Sequence, residues 1–153
     1  MAARVDTVHP WDTVDTTEPG LQAPRRVTFS LPARGFRMSA ITRIEQGPRM
    51  SEAVVHNGTV YLAGQVGEAG QSVFEQTQTA LAEIERLLGL AGSSKAHMLS
   101  AMIWLADMGD FDEMNRAWDG FVADVPPPAR ATGQARLADP AWRVEIVVTA
   151  ATA

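Results

Sequence analysis

Glu52-Ala53-Val54-Val55-His56-Asn57-Gly58-Thr59-Val60-Tyr61-Leu62-Ala63 reads as two extended runs folded back on each other. Both runs are rich in β-branched and apolar residues, and Asn57-Gly58 stands between them. A type I′ turn needs positive φ at both central positions, which Asn and Gly adopt at least cost, so the stretch predicts a β-hairpin. His56, beside the turn, is read as a solvated histidine. Just upstream, Ile41 to Glu45 is a further short strand. The chain is building a sheet from its first regular residues.

Downstream, Gly64-Gln65-Val66-Gly67-Glu68-Ala69-Gly70 joins a strand to a helix. Its spacing matches neither G-x-G-x-x-G nor a P-loop, so it is read as a connection in which Gly64 permits close backbone approach, not as a nucleotide cradle. Ser72 and Glu75 form a capping box. Val73, Phe74, Thr77, Leu81, Ile84, Leu87 and Leu88 then recur at helical spacing, and Gly89 and Gly92 supply the stop. Met98 to Ala106 is a mostly apolar, largely buried strand. Asp110 and Glu113 suggest a second capping arrangement for a helix lined by Phe111, Met114, Trp118, Phe121 and Val122. Pro126-Pro127-Pro128 ends that helix and forces an extended lead-in. Arg130–Leu137 and Trp142–Ala150 are the last two strands. The order β-β-β-α-β-α-β-β predicts an α+β fold: one mixed sheet with two helices on one face.

The totals bound the function. A chain of 153 residues, 46% hydrophobic and 20% charged, suits one soluble domain. A net charge of −5 argues against nucleic acid as a partner, since phosphate binding needs a concentrated basic face. With no cysteine, thiol nucleophiles and disulfides are excluded, which suits a reducing, cytoplasmic setting. No apolar run approaches the roughly 20 residues that span a bilayer, so no membrane partner is expected. The three histidines, 9, 56 and 97, are scattered, so no metal site is expected. Residues 1–37 are broken by Pro10, Pro19, Pro24 and Pro32 and show no surviving period. They are read as a weakly ordered N-terminal extension, leaving 38–153 as the domain.

Two charged residues on strands remain after this sorting. Arg130 directly follows the three prolines, and Glu145 lies within Val144-Glu145-Ile146-Val147-Val148. If they converge, a guanidinium and a carboxylate form a site for an anionic substrate beside a base or water-positioner. Alternation puts Arg143, Glu145, Val147 and Thr149 on one face of the last strand and Val144, Ile146 and Val148 on the other. Taken alone, such charges are more often exposed or structurally paired.

A resemblance sharpens this reading. From Ile41 to Ala153 the chain resembles the RidA (YjgF, reactive intermediate deaminase) family, and is most similar to its YoaB-like branch. The residues that carry it are Gly64-Gln65, Phe74-Glu75-Gln76-Thr77, Gly92-Ser93-Ser94, Asp107-Met108-Gly109-Asp110-Phe111, Asn115, Pro128-Ala129-Arg130 with Gln134-Ala135-Arg136-Leu137, and Val144-Glu145-Ile146. Their order and spacing together make the match. It implies a chorismate-mutase-like fold, a homotrimer with sites between subunits, and cofactor-free hydrolysis of reactive enamines or imines of the 2-aminoacrylate type to 2-oxo acids and ammonia. By the same resemblance Arg130 clamps the substrate carboxylate and Glu145 orients water and shuttles protons. Thr132, Asn115 and Gly64 line the site. Two positions depart from the pattern: Met50 replaces a tyrosine and Ala63 a serine, which makes the pocket more apolar. A competing reading is a non-catalytic relative that binds small carboxylates in the same cleft.

Overall fold

A computed structural model describes residues 40–153. The reading of residues 1–37 as an extension therefore lies outside the described residues. Seven strands run as β1 (Thr42–Gln46), β2 (Ser51–His56), β3 (Thr59–Leu62), β4 (Gln65–Val66), β5 (Met98–Leu105), β6 (Ala129–Gln134) and β7 (Val144–Ala151). Helix α1 (Val73–Leu90) follows β4, and α2 (Phe111–Val122) connects β5 to β6. The single sheet has the order β1-β2-β3-β7-β5-β6, with β4 also laid along β7. Only β5 and β6 are parallel, as their helical crossover requires.

Local chemistry accounts for these elements. His56 pairs with Thr59, and Asn57 and Gly58 take φ of 50° and 74°, so the hairpin turns as its Asn-Gly predicts. At the start of α1, Ser72 Oγ accepts from the Glu75 amide (3.3 Å) while Glu75 Oε2 accepts from the Ser72 amide (2.8 Å). At its end, Gly92 has φ of 70°, and the Ser93 and Gly92 amides donate to the Leu88 and Gly89 carbonyls. That pattern is a Schellman stop, and it satisfies carbonyls the helix would otherwise orphan.

The second capping arrangement is not formed. A short 3-10 turn at Met108–Asp110 precedes α2 and leaves Asp110 helical (φ −85°, ψ −2°), so its side chain cannot reach back to cap. Asp110 instead binds Arg143 at 2.6 and 3.0 Å. Glu113 accepts from the Phe74 amide at 3.1 Å, placing a carboxylate from α2 on the first turn of α1. Two further boundaries shift. The sixth strand ends at Gln134, short of Leu137, and α2 ends at Val122, before the prolines are reached.

Both helices cover one face of the sheet. Val144, Ile146, Val148 and Ala150 of β7 are fully buried and alternate with half-buried Glu145, Val147, Thr149 and Ala151. Ala101, Ile103 and Leu105 of β5 pair with Val148, Ile146 and Val144 and join the same core as Leu81, Ile84, Leu87 and Leu88 of α1 and Met114 and Trp118 of α2. Arg143 lies just before β7, and its side chain is committed to Asp110.

Candidate active site

The register of β6 decides where Arg130 points. Arg130 pairs with Ala101, and Thr132 with Ile103, both core residues of β5. Paired residues share a face, so Arg130 and Thr132 stand on the helix side of the sheet, at its edge. The Arg130 guanidinium carbon accordingly lies 5.2 Å from the centre of the Trp118 ring on α2. Asn115 is one helical turn before Trp118 and projects from the same side of α2. Among the described residues, the buried side-chain polar atoms lacking a partner are Asn115 Oδ1 and Thr132 Oγ1. Buried polar groups are normally satisfied; Thr132 lies two residues from Arg130 on the same strand face, and Asn115 one helical turn from the tryptophan under that arginine.

Glu145 belongs to the other face. It pairs with Trp104 of β5, and Trp104 pairs with Gly133 of β6. A Cβ added at Gly64 would collide with the Glu145 carboxylate, which therefore rests directly against the glycine backbone. The close approach foreseen at Gly64 is made, by a side chain. Between β7 and β6 lies one intervening strand, roughly 10 Å in total. Arg130 and Glu145 of one chain are thus separated by that spacing and by the thickness of the sheet. They do not converge within a subunit.

Of the remaining expected positions, Ala63 leads from β3 to β4, its amide donating to the Glu52 carbonyl at 2.9 Å. Met50 is half exposed just before β2, in a shallow depression with Arg43, Arg49 and Val54. Since β3 stands between β2 and β7, Met50 is not brought to Glu145 in the same chain. The sheet face carrying Glu145 also shows a 360 Å³ groove along Ser100, Met102, Ala129, Ala131, Val147 and Thr149, with Ala101 and Arg130 contributing to its lining.

Sequence reasoning missed three positions that support these groups. Trp118 was legible only as one apolar residue of a helix face. Gln76, 1% exposed, donates to the Ala141 and Gln71 carbonyls and accepts from the Arg143 amide at 2.8 Å, pinning the approach to β7. Gly67 lets β4 pass against the backbone of Gln76. Gln76 at helical spacing with Val73 and Ala80 was the available signal, but a polar residue on an apolar face does not disclose its partners.

Comparison with known proteins places this architecture. The family model described as Endoribonuclease L-PSP matches residues 40–152. A RutC family protein of Haemophilus influenzae is 49% identical over 112 residues, 72% of this chain and 97% of that protein. The RutC family protein YoaB of Escherichia coli is 43% identical over 111 residues, again 72% and 97%. A goat protein named 2-iminobutanoate/2-iminopropanoate deaminase is 33% identical over 103 residues, 63% of this chain and 74% of that protein. The crystal structure of a YjgF-family protein from Neisseria meningitidis superposes with a TM-score of 0.72 at 51% identity, covering 74% of this chain and 96% of that one. With the family model covering nearly all the described residues and the two RutC family proteins and the Neisseria structure matched almost end to end, the chain belongs to the Endoribonuclease L-PSP (YjgF/RidA) family.

Proposed function

We propose that this protein hydrolyses reactive enamines and imines of small 2-amino acids to 2-oxo acids and ammonia, in sites shared between subunits of a homotrimer. The observation that carries the reading is the pair of buried, unpartnered atoms Asn115 Oδ1 and Thr132 Oγ1, Thr132 sharing a strand face with Arg130 and Asn115 lying one turn from Trp118. A carboxylate-bearing ligand with an N–H group suits such a set. The relative named as an imine deaminase, at 33% identity, supports the reaction class. The trimer is supported by the uncovered sheet face, where Tyr61 is 51% and Met102 37% exposed, an apolar surface of the kind an assembly buries.

The chemistry asks little of the protein. An enamine first tautomerises to its imine, whose carbon is already electrophilic once the nitrogen is protonated. Arg130 holds the carboxylate by a bidentate fork that lysine cannot reproduce. Glu145 of a neighbouring subunit accepts a proton from the attacking water and passes it to the nitrogen of the carbinolamine, which then collapses to the carbonyl as ammonia leaves and the hydroxyl proton returns to Glu145. Because Arg130 and Glu145 lie on opposite faces of their own sheet, this mechanism needs two subunits per site.

Ammonia release from freshly generated 2-imino acids tests the proposal. The parent should turn over. Arg130→Lys should lose about 1.5–3 kcal/mol of carboxylate binding. Glu145→Gln should lose turnover while keeping affinity for 2-oxobutyrate. Met50 and Ala63, where the family pattern has hydroxyls, favour a second reading as a small-carboxylate binder. A parent that binds 2-oxobutyrate but releases no ammonia would establish that reading instead.

A further inference from the structure

Arg130 stands on an exposed edge strand, where a long charged side chain ordinarily samples many rotamers. Its guanidinium nevertheless lies over an indole that is itself held firmly. Trp118 is 4% exposed, belongs to the core, and packs on the Phe121 ring at 6.3 Å with the planes tilted by 51°. Among the described residues no carboxylate pairs with Arg130. An acidic neighbour would restrain the guanidinium but occupy its N–H groups. A ring face attracts the cation and leaves those donors available. Lys95 shows the contrast: it too lies over a ring, Phe121 at 5.5 Å, but it donates to Asp124 and to the Phe121 carbonyl.

We propose that Trp118 is a positioning residue for carboxylate recognition, its indole holding the Arg130 guanidinium in place with its hydrogen-bond donors uncommitted. The inference rests on the reading of Arg130 as the carboxylate clamp. Trp118 acts through Arg130 and touches no reacting atom, so its loss weakens ground-state and transition-state binding alike. KM rises and kcat holds.

The experiment titrates 2-oxobutyrate and measures kcat and KM on freshly generated 2-imino acids for the parent, Trp118→Leu, Trp118→Phe and Arg130→Ala, with folding checked by circular dichroism. Trp118→Leu keeps apolar bulk without a ring quadrupole. It should weaken 2-oxobutyrate binding and raise KM by about five- to thirtyfold, with kcat within about twofold. Trp118→Phe, with a weaker ring face, should fall between Leu and the parent. A folded Trp118→Leu variant with parental affinity, alongside an Arg130→Ala variant that binds nothing, would overturn the positioning role and leave the clamp standing. Parental affinity in Arg130→Ala would overturn the clamp and this inference with it. Should Trp118→Leu fail to fold, Trp118→Phe and Trp118→Tyr decide: graded affinity supports the role, and affinity equal to the parent in both refutes it.

Discussion

Two glycines three positions apart in the chain illustrate how a single hydrogen can serve opposite ends. At Gly64 an added Cβ would meet the Glu145 carboxylate, the far end of a flexible side chain. Gly64→Ala should therefore displace Glu145 while leaving the backbone where it is. The expected result is a melting temperature near the parent's with ammonia release reduced as far as in Glu145→Gln. Full activity in this variant would mean that the Glu145 position is not critical. At Gly67 the added atom would meet Cα and Cβ of Gln76, which cannot swing aside. Gly67→Ala forces β4 and α1 apart, and overpacking of this kind costs about 1–3 kcal/mol of unfolding free energy, read as a lower urea midpoint.

Among the secondary elements, α1 is tied to the sheet at two places by different chemistry. Gln76 satisfies the Arg143 amide and the Ala141 carbonyl in a buried setting. Gln76→Leu keeps the volume but leaves both backbone groups unpaired, which should cost about 2–4 kcal/mol at equilibrium. A loss below measurement error would show that water replaces the amide there. The second tie is on the surface. Arg86 of α1 grips both Glu45 oxygens on β1 at 2.7 and 2.8 Å and also binds Glu83. Hydrogen bonds from Arg86 hold both carboxyls below the ordinary glutamate range. A depressed carboxylate contributes stability that is complete above its unfolded pKa and is lost as pH falls through the folded value. The small melting-temperature deficit of Arg86→Gln should thus be visible at neutral pH and shrink as pH falls below the ordinary glutamate range. A deficit that persists unchanged in acid would assign it to packing of the arginine stem.

At the scale of the whole molecule, opposed faces make a strong assembly prediction. If each site takes Arg130 from one subunit and Glu145 from the next, inactive Arg130→Ala and Glu145→Gln chains should complement when unfolded together and reassembled. In a cyclic trimer every mixed ring contains one intact site, so an equimolar mixture should recover about a quarter of parental ammonia release. No recovery, in a sample shown by light scattering to be trimeric, would place both residues in the same subunit's site. A monomeric mass at micromolar concentration would remove the shared site altogether.

Local rules were enough for most of the elements. Asn57-Gly58 can form its turn because its φ angles need no outside help, and Ser72 with Glu75 caps a helix with groups three residues apart. Alternation along Val144–Ala151 assigns each residue a face because the strand period is two. The residue types of the candidate site, Arg130 and Glu145, were likewise visible from strand placement and family pattern. What stayed hidden depended on partners distant in the chain. Asp110 could not disclose that Arg143 would claim it, nor Glu113 that it would cap the other helix. Arg130 became a helix-side residue through its parallel register with Ala101, and that register is set by where the α2 crossover lets β6 land. Faces within a strand follow from the chain's own geometry. The face a strand presents to its neighbours is settled only when the sheet is assembled, because a shift of one residue in register would turn Arg130 to the side of Glu145.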